Sequence, residues 1–417
     1  MPTLVDLPEL AVAPRGDNRL VLGDNLLALE ALALSHAGAV RCAYVDPPYN
    51  TGNALEHYPD DREHAAWLAM MRARLRVLLP LLAPNGVLVA QTDRTESAYL
   101  KVLLDELMGR ECYITTVAVR MSGTTGFKIE HTDRRIVKNT EYIHVYSRRL
   151  ELVEKAFEET RAFDDHYCLL LSPDRRRFGR LVADTEVEAC FAALDLRPTN
   201  ANLPVLYDGS SRFRAFVAAQ ADRVVRSHTA PGPARQAAAR GALWSGEPPG
   251  GDDVVQAEYA GSLYHLRRTR SGVDQLIPIA LKMQRVDCAG GPDRVALTNI
   301  LGDWWDGFHR DMGNVEHEGG VAFKASKKPE RLLRRVLRMF TEPGDLVLDP
   351  FGGSGTTAAV AHKMGRRWIT IESGDHGLSH LLPRLRSVAE GADPTGVTAA
   401  TGWAGGGGFG VCRVEGG

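Results

Sequence analysis

Residues 346–372 read LVLDPFGGSGTTAAVAHKMGRRWITIE, and this stretch decides the fold class. Leu346–Leu348 is a short apolar strand that stops at a glycine-rich turn, Asp349-Pro350-Phe351-Gly352-Gly353-Ser354-Gly355-Thr356-Thr357. An alanine-rich helix follows, and Trp368–Ile371 forms the next strand, which ends at Glu372. Strand, tight turn, helix and strand in this order predict a parallel α/β unit. Glycine lets a backbone approach a ligand closely or adopt a positive φ. The helix starting at the turn offers free N–H groups to a polar or anionic ligand end. Glu372 stands 17 residues beyond Gly355, near the spacing at which an acidic side chain accepts ribose hydroxyls in nucleoside-binding sheets. These features point to an adenosine-type cofactor without saying which. Gly353 to Ala358 also fits a loose G-x-G-x-x-A pattern, so a nicotinamide cofactor and a plain structural turn stay open on this stretch alone.

The same rhythm runs upstream. Residues 19–22 (RLVL) read as a buried strand ending at Gly23-Asp24-Asn25, followed by a helical stripe of Leu26, Leu29, Leu32 and Ala33. Val40–Val45 (VRCAYV) is a second apolar run that stops at Asp46-Pro47-Pro48-Tyr49. Residues 62–82 are periodic and apolar, Pro84-Asn85-Gly86 reads as a turn, and Val87–Ala90 and Tyr142–Ser147 read as strands. Residues 150–300 lack this rhythm and carry loop punctuation at 231–233 and 247–251, which predicts a separate domain or a large insertion. Residues 329–340 predict an amphipathic helix started by Pro329. The stretch GWAGGGGFG at 402–410 is either a flexible end or a tight turn before a last strand at 409–414.

The Asp46–Tyr49 corner carries the chemistry. An exocyclic amino nitrogen is a poor nucleophile because its lone pair is delocalised into the ring, so a site must accept its hydrogens and polarise it. Asp46 offers a carboxylate and Pro47 a backbone carbonyl, while Pro48 has no N–H. Two prolines fix φ at both positions and hold the acceptors rigidly, which supplies the positioning such a reaction needs. Tyr49 offers a ring face on which a flipped base can stack, worth about 1–3 kcal/mol. A proline-rich turn with an ordinary capping aspartate is the alternative for the tetrapeptide by itself; the glycine turn and Glu372 argue against it.

The 417 residues are 44% hydrophobic and 24% charged, with a net charge of −2, an ordinary globular composition. There is no uncharged apolar run of about 18 residues, and the N-terminus lacks the features of an export signal, so a cytoplasmic protein without membrane contact is expected. The six cysteines form no C-x-x-C pair, so neither a metal site nor a disulfide framework is expected. From Arg161 to Arg240 there are twelve Arg, no Lys and nine acidic residues, and from Lys324 to Arg338 seven basic residues and one acidic. Such runs suit phosphate contacts, with Arg175-Arg176-Arg177 the candidate cluster, or are solvated faces. The chain has no Walker A pattern, so a translocase would sit on another chain.

At these residues the sequence resembles the β-class amino-methyltransferases of DNA, especially the modification subunits of type III restriction systems and solitary adenine-specific relatives. Tyr44–Asn53 (YVDPPYNTGN) is similar to the extended catalytic motif of that group, and Asp349–Thr357 to its cofactor motif. In matching order, Gly23-Asp24-Asn25 resembles the segment whose acidic residue lies beside the cofactor adenine. Asn139-Thr140-Glu141-Tyr142 resembles the later motif of the catalytic half. Lys328-Pro329-Glu330 with Leu332-Leu333 resembles the helix lining the methionine end of the cofactor, and Trp403–Phe409 the glycine-rich C-terminus.

The resemblance implies a Rossmann-like sheet of the S-adenosylmethionine-dependent methyltransferases, circularly permuted because the catalytic motif precedes the cofactor motif, with an inserted target-recognition region. It assigns residues 1–150 to the catalytic half, 151–300 to target recognition, 301–395 to the cofactor-binding half and 396–417 to a glycine-rich tail. The implied reaction is methyl transfer from S-adenosylmethionine to N6 of a flipped adenine in double-stranded DNA. Cytosine N4, RNA, a protein amide, or a non-catalytic DNA-binding module are the alternatives. The leading aspartate of the tetrapeptide looks like the adenine version. Asp46, Pro47, Pro48 and Tyr49 are then the catalytic set, and Asp24, Lys328, Asp349, Phe351, Gly353, Gly355, Thr356 and Glu372 the cofactor set, with no metal. A homodimer and a restriction or defence subunit on another chain are the partners such relatives suggest. Where relatives often carry Trp, residues 114–120 read ITTVAVR, so the second base-stacking residue is unassigned, with Phe127 and His131 as candidates.

Overall fold

Every apolar run that feeds a motif becomes a strand of one sheet. In the computed structural model, which describes residues 1–13, 17–52, 60–123, 136–229, 251–259, 262–269, 272–286, 294–323 and 327–416, two compact units emerge. The first comprises Met1–Ala156, Asp287–Pro292 and Leu301–Gly417, and the second Phe157–Val286 and Asp293–Ile300. The strands of the first unit are β1 (Thr3–Asp6), β2 (Arg19–Leu22), β3 (Val40–Val45), β4 (Leu82–Thr92), β5 (Tyr113–Arg120), β6 (Thr140–Ser147), β7 (Trp304–Trp305), β8 (Leu346–Asp349), β9 (Arg367–Glu372) and β10 (Gly410–Glu415). Their order across the sheet is β1-β10-β2-β9-β8-β3-β4-β6-β5-β7. From β10 to β4 neighbouring strands are parallel. β1 is antiparallel to β10, and β6 is antiparallel to both β4 and β5.

Helices cover both faces, which is why the central strands are apolar on both sides. Helices α1 (Asn25–His36), α2 (His64–Leu78) and α3 (Ser97–Met108) pack on one face against Val21, Ala43, Leu88, Leu348 and Ile369. Helices α4 (Glu330–Phe340), α5 (Thr356–Lys363) and α6 (Leu382–Glu390) pack on the other against Leu20, Tyr44, Val89, Val347 and Trp368. Asp24 starts α1 by accepting hydrogen bonds from the backbone N–H groups of Leu26 and Leu27 at 2.9 and 3.2 Å. The last strand, β10, shows the glycine-rich stretch to be a turn into the sheet.

Two expectations are corrected. The turn at Pro84-Asn85-Gly86 lies inside the single strand β4, where the pairing with β3 jumps from Val40–Leu82 to Cys42–Val87. The intervening residues are accommodated as an irregularity in the ladder. The basic run 324–338 reads as a phosphate-contacting or a solvated face, and either reading leaves the charges after Pro329 accessible. Instead Glu330, Arg334 and Arg335 are buried with the apolar stripe. Arg335 lies over the rings of Trp305 and Phe308, 5.3 and 4.7 Å from their centroids, so its planar cation is covered by aromatic faces rather than by water.

The second unit has a different construction. A six-stranded antiparallel sheet runs in the order Val255–Tyr259, Ser262–Thr269, Gly272–Pro278, Val224–Thr229, Leu169–Leu171, Phe178–Arg180. Helices Thr185–Ala192, Leu203–Gly209 and Ser211–Ala219 close a core around Phe191, Leu206 and Phe213. The strands are all antiparallel and the three helices fall together between Phe178–Arg180 and Val224–Thr229, so the strand–helix alternation found elsewhere in the chain is absent among the described residues. Among the described residues no helix is long and apolar enough to cross a membrane. Cys42, Cys112, Cys190 and Cys412 are buried free thiols, and burial pushes Cys42 up to about 12.

Beneath the glycine turn lies a buried ion cluster. Glu330 receives Lys363 Nζ on Oε2 at 2.8 Å and Arg384 Nη2 on Oε1 at 2.7 Å, and Lys363 also meets Asp393 at 2.6 Å. All four side chains are 0% exposed. Two anions and two cations leave the cluster neutral. Arg384 Nη1 reaches on to the turn, donating to the Ser354 carbonyl at 3.1 Å and to Thr356 Oγ1 at 2.9 Å. Breaking such a network from one side strands a buried charge, so Arg384→Met is expected to cost about 3–5 kcal/mol in a urea titration. Glu318 borders this cluster and accepts the Glu330 backbone N–H at 2.9 Å. Burial, then the Glu330 charge, push its carboxyl up to about 7. A raised folded-state value stabilises the fold while the group is protonated, and that contribution is lost as pH rises from the ordinary glutamate range through about 7. Glu318→Gln keeps an acceptor without the titration. Thermal melts of wild type against this variant should therefore show the wild type losing relative stability across that window.

Candidate active site

The carboxyl ends of β2, β9, β8 and β3 meet at one edge of the sheet, where open parallel sheets hold their ligands. A single cavity there is lined by Asp24, Asp46, Pro48, Lys328, Asp349, Phe351, Gly353, Thr356 and Glu372 from the expected set. Pro47, Tyr49 and Gly355 are not among its lining residues. Leu333, from the helix expected to line the cofactor, and Tyr44, from the extended catalytic motif, line it as well, and Arg62, Met70, Arg74 and Phe323 line it without having been anticipated. Phe127 and His131 lie outside the described residues.

The glycine turn is shaped by its neighbours. Gly353 and Gly355 have φ of +53° and +79°, and a Cβ on Gly355 would come within 2.9 Å of Leu381. A Cβ on Gly352 would meet Thr370 Oγ1 at 2.6 Å, so the close approach of turn to strand β9 requires a bare backbone. Glu372 grips this turn: its Oε2 accepts the Gly353 N–H at 2.7 Å and its Oε1 the Gly374 N–H at 2.8 Å, with the His376 ring 3.1 Å away. Burial works to raise the Glu372 carboxyl, but His376 and the two N–H groups outweigh it and hold it below its ordinary range. Asp349 is the opposite case. Burial pushes it up to about 7 against the hydrogen bonds from Thr357 and the Phe351 N–H.

The Asp46–Tyr49 corner is pinned by residues with no local signature. Trp67 Nε1 on α2 donates to the Pro48 carbonyl at 2.7 Å. The buried Asp60 accepts the N–H groups of Asn50 and Thr51 at 2.7 and 3.0 Å. Asn50 takes a φ of +59° and donates its side-chain amide to Glu96 at 2.8 Å. Asp60, Trp67 and Glu96 were missed because nothing in their own segments marks them; only the fold brings them under the loop.

Around Asp46 the charges are dense. Lys328 Nζ is 3.0 Å from Asp46 Oδ2 and 3.7 Å from Glu141 Oε2, and lies 4.7 Å from the Tyr49 ring centroid. One face of the Tyr49 ring is thus overlaid by an ammonium, which leaves the other for stacking. Burial raises the Asp46 carboxyl; Lys328 opposes this and Glu141 adds to it. Burial beside carboxylates also drives the Tyr44 and Tyr49 hydroxyls well above the usual phenol range. Asp24 Oδ2 is paired with Arg74 at 2.9 Å.

The donor set fits a nucleoside with a zwitterionic tail. Carboxylates at Asp24 and Glu372 can accept hydroxyl or amino hydrogens, Phe351, Met70 and Ile371 give apolar walls, and Lys328 is a cation at the Asp46 end. In the second unit the expected phosphate-binding arginines are largely paired: Arg175 with Asp222 at 3.8 Å, Arg177 with Asp253 at 3.5 Å and Arg226 with Asp164 at 2.9 Å. Asp164, Asp165 and His166 there have ligand atoms within 4.8 Å of one another, and Asp164 already serves Arg226.

A family model described as DNA methylase, of the N6 and N4 type, matches residues 40–172 and 275–380, more than half of the chain. The chain is 30% identical over 413 residues to the "Probable type III restriction-modification enzyme HindVI Mod subunit" of Haemophilus influenzae, covering 94% of this chain and 53% of that protein. It is 26% identical over 389 residues to the Type II methyltransferase M.EcaI of Enterobacter cloacae, covering 91% and 71%. The solved M1.HpyAVI–SAM complex matches at 14% identity over 88% of this chain and 98% of that chain, with a TM-score of 0.38. The chain therefore spans about half the length of the HindVI subunit. With its catalytic-type corner and its glycine turn both inside the matched segments, this chain belongs to the N6/N4 DNA methylase family.

Proposed function

We propose that the chain is an S-adenosylmethionine-dependent DNA methyltransferase acting on N6 of an adenine flipped out of the duplex. The observation that carries this reading is that Asp46 and Pro48 line the same cavity as Gly353 and Glu372. An amino-polarising corner and a nucleoside-type turn are useful together only if a group passes between their ligands. S-adenosylmethionine would supply a methyl carbon on a sulfonium centre, which the amino nitrogen of the base takes up as it loses a proton.

The chain's own residues do the rest. Glu372 and Asp24 are the acceptors for the adenosine end, and Phe351 the apolar wall beside it. The bare backbone at Gly353 and Gly355 and the start of α5 at Thr356 let the cofactor lie close to the sheet. Lys328 balances carboxylate at the methyl end. Asp46 and the Pro47 carbonyl accept the amino hydrogens and turn the nitrogen lone pair out of the ring. Tyr49 supplies the stacking face. This site works by positioning and polarisation, since the donor arrives activated.

We assign the second unit to target recognition, with Arg175-Arg176-Arg177 as its phosphate contacts, Arg175 and Arg177 exchanging the carboxylates of Asp222 and Asp253 for phosphate. The likeness to a Mod subunit extends the proposal to a restriction subunit on another chain. Homodimerisation belongs to the same reading.

Asp46→Ala is expected to lower methyl incorporation into DNA by at least about a thousandfold, the scale of losing a transition-state acceptor. Cofactor affinity, measured by calorimetry, should stay within about threefold. Equal loss of both would make Asp46 a structural residue. Incorporation of labelled methyl, followed by digestion to nucleosides and mass analysis, should give N6-methyladenosine in its deoxy form. An N4-methylcytosine product would replace the adenine assignment, and DNA binding without incorporation would favour a non-catalytic module.

A further inference from the structure

Tyr49 carries one hydroxyl hydrogen and stands between two carboxylates. Its oxygen is 2.8 Å from Asp46 Oδ1 and 2.8 Å from Glu141 Oε2. One hydrogen can serve only one of them well. The other contact sets two lone-pair-bearing oxygens at hydrogen-bond distance, and it becomes a bond only when that carboxyl carries a proton.

Lys328 breaks the tie. It stands 3.0 Å from Asp46 but 3.7 Å from Glu141, so the charge of Asp46 is the better offset and the phenol hydrogen is drawn towards Glu141. Glu141 is itself held for this. Gln91 Nε2 donates to Glu141 Oε2 at 2.7 Å, and the Tyr44 hydroxyl donates to Gln91 Oε1 at 2.6 Å, which fixes the direction of the amide. The chain of bonds therefore runs from β3 through β4 to the start of β6 and back to the corner.

We propose that Glu141 is a positioning residue: by taking the Tyr49 hydrogen it turns the phenol oxygen into an acceptor facing Asp46, and so makes Asp46 the stronger acceptor for an amino hydrogen. This rests on the methyl-transfer reading above and adds a residue to it. Groups facing Asp46 are Tyr44 and Tyr49 from its own segment, Glu141 from β6, Lys328 ahead of α4 and Asp349 at the end of β8. As the amino nitrogen bonds to the methyl carbon, the carbon–sulfur bond of the sulfonium donor would break with its electron pair left on a neutral thioether, while one N–H bond breaks and one O–H bond forms on Asp46. Protonated on Oδ1, Asp46 has the Tyr49 oxygen waiting at 2.8 Å. At Oδ1 the corner is thus complementary to the state reached after the proton has moved, while Lys328 offsets the resting charge at Oδ2.

The test is an infrared titration of the carboxyl bands in the full chain, with Asp46→Asn marking the band of Asp46. In Tyr49→Phe the protonation midpoint of Asp46 should fall by about one pH unit, because the protonated form loses its acceptor. A midpoint that rises would mean that Tyr49 donates to Asp46, and the proposal would be wrong. Glu141→Gln should also lower the midpoint, and in the Tyr49→Phe background its effect should shrink to less than half. An equal shift in both backgrounds would be the mere removal of a nearby charge and would overturn the proposal. In single-turnover assays Glu141→Gln should slow methyl transfer about tenfold, with cofactor affinity unchanged. Failure of the wild type to transfer methyl at all would count against the functional reading alone, since the infrared signs stand apart from activity.

Discussion

A buried carboxylate, Glu330, organises the part of the first unit that carries the glycine turn. It stands at the first turn of α4 and draws in Lys363 from the end of α5 and Arg384 from α6. Arg384 uses the rest of its fork on the Ser354 carbonyl and the Thr356 hydroxyl, so the glycine turn is tied from below to two helices. A turn made of glycines has little side-chain packing to hold it, and its backbone conformation is expensive in entropy. The arginine fork supplies the constraint that side chains elsewhere would supply. Buried ion clusters can be replaced by apolar residues of the same volume without loss of stability, but here that would leave the turn without a fixed floor. That is a reason for charge in a place where burial disfavours it.

Above that floor, the cavity collects carboxylates. Asp24, Asp46, Asp349 and Glu372 all line it, and Glu141 stands behind Asp46. The protein manages them in different ways. Backbone N–H groups and His376 hold the Glu372 carboxyl below its ordinary range, whereas burial pushes Asp349 up to about 7. Asp24 is spent partly on capping α1 and on Arg74. Only Asp46 combines burial with a nearby cation and a shared hydroxyl, which is the environment of a group whose proton affinity is tuned rather than merely satisfied.

Much of this was legible in the chain itself. Parallel strands alternating with helices leave long apolar runs with abrupt polar stops, and those stops are where Asp46, Asp349 and Glu372 sit. Contiguous motifs carry their geometry with them: the rigidity of Pro47-Pro48 and the positive φ at Gly353 follow from local covalent structure. What stayed hidden was whatever depends on distant contacts. Glu141 touches Tyr49 across 92 residues, and Asp60 and Glu96 reach the loop only because α2 and α3 pack beside β3. The charges of α4 were expected to be accessible because helical periodicity counts residues and not partners; Arg335 found aromatic rings and Glu330 found two cations. The β4 ladder absorbed Pro84-Asn85-Gly86, which a turn rule reads as a break.

The division between local and distant determinants also orders the site by function. Residues that touch a ligand in the proposed reaction lie within motifs, where their spacing is set by a few bonds. Residues that set the protonation and orientation of those groups come from other elements, where their position can be adjusted without moving the motif. In the proposed reaction Tyr49 joins the two classes: its ring would stack on the base, while its hydroxyl, 2.8 Å from both Asp46 and Glu141, would report the state of Glu141 to Asp46. A single side chain then couples how a base is held to how strongly its amino hydrogen is drawn, and substitution of the partner on β6 can tune the second without disturbing the first.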